Sequence, residues 1–133
     1  MPLKISEEIL EMLENSATFK MIGSVDNVET VNLDPVNTVK VVGDDIIAFA
    51  CSNEKRKFII ENMEKHTLLS LAVFEPDMIG FQLKGRVSDI EYNGQLLDSF
   101  KEFCVESKPF AVVKMMVTEI YALTMAVAGE KVL

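Results

Sequence analysis

The chain has 133 residues, 49% of them hydrophobic and 26% charged, which is enough for one domain around one core and too apolar for a disordered chain. A formal net charge of −8 disfavours nucleic acid and anionic membrane surfaces, both of which require a basic face. No run reaches the ~20 unbroken apolar residues of a membrane helix; the richest, 110–128, contains Lys114 and Glu119.

Residues 6–15 read as a short amphipathic helix. Ser6 stands at the N-cap, Glu7 and Glu8 place negative charge in the first turn, and Ile9, Leu10 and Leu13 form the apolar stripe. Residues 17–25 switch to period two. Ala17, Phe19, Met21, Gly23 and Val25 share one face and Thr18, Lys20, Ile22 and Ser24 the other, as in a strand with one buried face. A second strand is expected near 30–33, broken or kinked by Asp34-Pro35, because proline offers no ladder donor. Residues 36–42 resume as a strand, Gly43-Asp44-Asp45 turns, and 46–51 return as a central strand apolar on both faces. A helix is expected over 57–65 and a strand over 67–74.

Strand 80–91 alternates, with Phe81, Leu83, Gly85 and Val87 inward and Gln82, Lys84, Arg86 and Ser88 outward. Gly94 opens a helix running to about Glu106, and 111–123 form the last strand. That strand is apolar on both faces. Either the preceding helix or a second subunit covers the outer one, and the second option, a homodimer, would put Met115 or Met116 at the contact. The fold class is therefore mainly β with α: a single domain over 1–133, built as an antiparallel barrel of six or seven strands with N-terminal, middle and late helices.

No nucleophile elbow, Walker loop or dinucleotide fingerprint occurs, and the scattered carboxylates do not form a metal set. His66, the only histidine, reads as an exposed residue near a helix end. The two cysteines, Cys51 and Cys104, fit neither a disulfide scaffold nor a zinc site. With no apolar secretory segment at the N-terminus, a reducing cytoplasm is the expected compartment. The informative segment is Cys51-Ser52-Asn53-Glu54-Lys55-Arg56-Lys57-Phe58, where a buried strand ends and a helix opens. Backbone N–H groups at a helix start, with Arg56, Lys57 and the Ser52 hydroxyl, make an anion site; a solvated basic run balancing Glu54, Glu61 and Glu64 is the competing explanation.

The order and spacing of these segments resemble the FMN-binding split-barrel family, which includes pyridoxamine 5'-phosphate oxidase-like proteins and small FMN-binding proteins. The residues that carry the resemblance are Ala17 to Asp26, Val36 to Ala50, the basic pair Arg56-Lys57, Gly80 to Val87, and the closing strand Ala111 to Tyr121. The resemblance implies a Greek-key split barrel, a homodimer with flavin mononucleotide (FMN) at the subunit interface, and electron or hydride transfer. It implies that Asn37 and Thr38 lie near the flavin ring, that Ala50, Cys51 and Ser52 lie near the ribityl chain and phosphate, and that Arg56 and Lys57 bind the phosphate. Phe58 departs from the family, which usually has Ser or Thr after the phosphate lysine. That departure leaves a non-catalytic barrel as the rival expectation: an electron carrier, sensor or interaction module, with a deazaflavin or haem as the other ligands of the family. No catalytic residue is assigned.

Overall fold

The computed structural model describes residues 4–25, 30–36, 38–52, 57–102 and 108–132. Helix α1 spans Glu7–Glu14 and buries Ile9, Met12 and Leu13. Ser6 occupies the N-cap with extended backbone, but its hydroxyl makes no capping bond, so the first-turn acids Glu7 and Glu8 supply the favourable end charge. The strands are β1 (Phe19–Val25), β2 (Val31–Pro35), β3 (Val39–Val41), β4 (Ile46–Cys51), β5 (Leu68–Phe74), β6 (Gly80–Glu91) and β7 (Ala111–Ala122). Helix α2 (Lys57–Lys65) precedes β5, α3 (Gln95–Lys101) precedes β7, and a short 3-10 turn follows at Met125–Val127.

The strands form one seven-stranded sheet in the order β2-β1-β5-β6-β7-β4-β3. Every neighbouring pair is antiparallel. One core joins residues of both ends of the sheet, including Ile22, Leu71, Leu83, Met115, Phe49 and Val39. The sheet curls around this core into a half-barrel, which α1 closes over β3 and β5 and α2 closes over β1 and β6. The β6–β7 ladder skips Thr118 and Ser88 at two bulges. At each, the extra residue's hydroxyl donates across the ladder, Thr118 to the Lys84 carbonyl at 3.2 Å and Ser88 to the Lys114 carbonyl at 3.3 Å. Bulges of this kind bend long strands and add twist.

The alternation of β1 leaves open which of its faces is buried; in the structure it is the one carrying Lys20, Ile22 and Ser24. Lys20 goes inside because its ammonium finds the end of α1: it donates to the carbonyls of Asn15 (2.9 Å) and Thr18 (3.4 Å), where a cation suits the helix dipole. Burial pushes its pKa down. Asp34-Pro35 does not break β2. Pro35 pairs with Met21, and the Val36 N–H donates to the Lys20 carbonyl at 3.0 Å. Proline is tolerated there because β2 is an edge strand.

The outer face of the sheet has two halves. Over β4 and β7, Leu97 and Phe100 of α3 cover Ala48 and Val112. Lys40 latches α3 in place, donating to the Ser99 hydroxyl at 2.9 Å and lying 5.0 Å from the Phe100 ring centre. Among the described residues nothing covers the other half: Phe19 (58%), Val31 (66%), Leu33 (60%), Leu68 (56%) and Met116 (38%) are exposed there. Met115 is in the core, so of the two methionines only Met116 is open to a contact. Among the described residues no helix is long and apolar enough to cross a membrane.

Candidate functional site

The inner faces of β1, β2 and β4 meet α2 around a cavity of about 110 Å³, walled by Ile22, Asp34, Cys51, Ser52, Ile60 and Met63 among others. Strand alternation decides who faces it. Cys51 packs with the inner core, whereas Ala50, one residue earlier, packs against the α3 cluster on the outer face. The strand therefore ends with Cys51 and Ser52 at the cavity and α2 starting at Lys57 beyond them.

Burial, with the Asp34 carboxylate nearby, pushes the Cys51 thiol up to about 12. Its thiolate is then about a thousandfold scarcer than that of an ordinary thiol at neutral pH. In a Cys104→Ser background, alkylation of native Cys51 by iodoacetamide at pH 8 is expected to run at least ~100-fold slower than in the urea-unfolded chain, and Asp34→Asn is expected to speed it. The same shift ties proton binding to stability. The native thiol holds its proton through the pH range in which the unfolded one loses it, so stability falls as pH rises from 9.0 towards about 12.

Of the residues singled out from sequence, Cys51 and Ser52 share the cavity, and Lys57 opens α2. Thr38 is half-buried before β3, outside the cavity wall. Ala50 is turned away. Asn37 and Arg56 lie outside the described residues, as does Cys104.

The sequence reading placed no site residue on β2. Its inner face presents Asp34 to the cavity and, two residues back on the same side, Asn32. Asn32 sits opposite Ser24 in the β1–β2 ladder. The Asn32 Nδ2 and the Ser24 hydroxyl are both buried without a hydrogen-bond partner among the described residues. An unsatisfied buried polar group costs about 1–3 kcal/mol, and native proteins keep few of them. The available signal was the alternation Val31-Asn32-Leu33-Asp34, with polar residues at every second position. Among the described residues, no group of three or more His, Cys, Asp or Glu is placed to hold a metal.

No family model matches the chain, and no curated protein is similar enough to match it. Solved structures are. The HupZ protein of Group A Streptococcus superposes with a TM-score of 0.75 at 18% identity, covering 94% of this chain and 98% of that one. An FMN-binding protein from Syntrophomonas wolfei subsp. wolfei superposes at 0.70 and 17% identity, covering 87% and 86%. A Clostridium acetobutylicum protein of the pyridoxinephosphate oxidase family, related to general stress protein 26, superposes at 0.62 and 14% identity, covering 89% of each. At these identities the likeness is one of fold, and it runs over nearly the whole chain: this protein is a split barrel of the kind built by FMN-binding and pyridoxamine 5'-phosphate oxidase-like proteins.

Proposed function

We propose that the protein is an FMN-binding flavoprotein of the pyridoxamine 5'-phosphate oxidase-like type, acting in electron or hydride transfer as a cytoplasmic homodimer with FMN at the subunit interface. The observation that carries this reading is the orphaned amide of Asn32, a buried donor aimed at no protein acceptor. It lies beside a cavity whose walls combine a carboxylate, a hydroxyl and apolar side chains.

These residues fit a flavin in kind. A flavin ring is apolar at one end and carries acceptors and one N–H at the other. Asn32 donates to such acceptors, Asp34 accepts from such an N–H, and Ile22, Ile60 and Met63 supply apolar walls. Asp34 also orients the ligand, because a carboxylate repels a phosphate. The phosphate belongs at the other end, towards the N-terminus of α2 at Lys57, where helix N–H groups favour an anion. When bound, FMN supplies the redox chemistry, and the protein supplies position, electrostatics and exclusion of water.

The cavity holds about 110 Å³, well under the roughly 300–1,000 Å³ of a complete small-molecule site. One chain therefore encloses part of such a ligand, and a second copy supplies the remaining wall. The uncovered apolar half of the outer face gives that copy a surface to pair with.

The test is reconstitution. Incubated with FMN and desalted, the protein is expected to keep oxidised-flavin absorbance near one FMN per chain and to unfold at a higher temperature. Asn32→Val is expected to weaken FMN about tenfold while leaving the ligand-free fold as stable or up to about 1 kcal/mol more so, since it removes an unsatisfied amide. A protein that stays colourless and is not stabilised by FMN overturns the proposal.

A further inference from the structure

Among the described residues, a concavity much larger than the flavin cavity lies elsewhere. It lies on the opposite side of β2, on the uncovered outer face, as a basin of about 710 Å³ spanning β1, β2, β5, β6 and β7. That volume is within the range of a complete small-molecule site. We propose that the basin is a second binding site, for a small amphipathic anion: an apolar body carrying a carboxylate or phosphate group. This goes beyond the flavin reading, and only the roof rests on the pairing of two copies. The floor and the cations come from one chain.

The floor is hollow because Gly23 lacks a side chain at its centre. A Cβ built there meets nothing nearer than 3.5 Å, the Leu33 side chain. Met21, Val31, Leu33 and Leu68 make the walls apolar. Midway across, Gln82 donates to the Ser70 hydroxyl at 2.7 Å, leaving the Gln82 carbonyl and the Ser70 O–H to face a ligand.

The charge is at one end. Lys84 and Arg86 both point outward from β6 into the basin. The chain has 21 acidic residues against 13 basic ones, yet among the described residues neither cation has an ion-pair partner. Across the two ladders, Arg86 is flanked by Leu68 and Met116, apolar neighbours that strengthen its attraction for an anion. Lys84 lies 4.6 Å from the Tyr121 ring centre. The one acid in the wall, Glu119, stands across from Lys84 and pairs with Lys131 at 3.6 Å. The anionic head therefore belongs at the Arg86 end, where the guanidinium offers a planar fork to a carboxylate or phosphate. The bulge at Thr118 shapes this end of the wall, adding Thr118 beside Glu119.

The container is the curled sheet itself.

The test is fluorescence titration of the folded, full-length protein with 1-anilinonaphthalene-8-sulfonate, followed by competition. Saturable binding at one site per chain is expected, displaced by dodecanoate and not by dodecyltrimethylammonium. Lys84→Gln with Arg86→Gln is expected to weaken it roughly tenfold or more, and Gly23→Leu to abolish it by filling the floor. Circular dichroism reports whether each variant folds. Both cations are exposed, so the double variant keeps the test decisive even if Gly23→Leu does not fold. Binding left intact by the double variant, or equal competition by the cationic amphiphile, overturns the proposal. Loss of probe binding in Asn32→Val, which leaves the basin untouched, also overturns it, placing the probe in the flavin cavity. Retention of FMN absorbance is read separately, so failure of the basin and failure of the flavin site are distinguishable.

Discussion

Gly85→Ala is expected to destabilise the protein by about 3 kcal/mol or more, lowering its thermal midpoint by about 10 °C. Gly85 sits immediately after the shift in register at which β6 skips Thr118 of β7. A Cβ at that position would lie 1.9 Å from the Met116 carbonyl oxygen, 2.9 Å from its carbon and 3.1 Å from Val117 Cα. All three are backbone atoms, so no rotamer change relieves the clash. The ladder must separate, at the point where the hydroxyl of Thr118 and the ladder bonds hold it closed. Gly23→Ala is the matched control. Its nearest neighbour would be 3.5 Å away, an ordinary contact, and its midpoint is expected to move by less than a few degrees. Thermal and urea unfolding followed by circular dichroism compares the two. Equal effects from both would show that the close approach of β6 to β7 is not what requires glycine at 85.

The comparison bears on what the sequence could reveal. Alternation in β6 was legible because its outward residues, Lys84, Arg86 and Ser88, are charged or polar and stay in contact with solvent. In β1 the same rule left the choice of face open. The apolar face with Phe19 and Met21 is the outer one, and the face with Lys20 and Ser24 is inside. Periodicity shows that a strand has two unlike faces; which one meets the core depends on partners elsewhere in the fold. For Lys20 that partner is the carbonyl end of α1, a contact that no local pattern announces. Pro35 misled for a related reason, since only the sheet order reveals that β2 is an edge.

On the sequence, the covering of β7 is a choice between a helix and a second subunit. The structure divides the surface: α3 takes the half with Ala48 and Val112, and the half with Met116 is left open. At the candidate site, the strand-end residues Cys51 and Ser52 were within reach of sequence reasoning, because the helix start after them marks the place. Asn32 was not. A polar residue on a short strand reads as a solvent contact, and only the ladder with β1 reveals that its amide is buried and unsatisfied.

The open half of the outer face leads to the second large effect. Phe19→Asp combined with Met116→Glu is expected to convert a homodimer into monomers, raising its dissociation constant at least ~100-fold. Phe19 and Met116 are 58% and 38% exposed in the single chain, so their replacement costs the isolated fold little. Neither lines the cavity beside α2 or the outer basin. In a two-fold interface each substitution occurs twice, and each buries a carboxylate that had been an apolar contact. Sedimentation equilibrium over a range of protein concentrations measures the shift. Wild-type protein that sediments as a monomer removes the pairing. A variant that remains a dimer places the interface on another face. If the pairing holds and a second copy completes the cavity of about 110 Å³ in one chain, FMN affinity should fall together with dimerisation. A variant that is monomeric yet binds FMN with full affinity would show instead that one chain closes the flavin site alone.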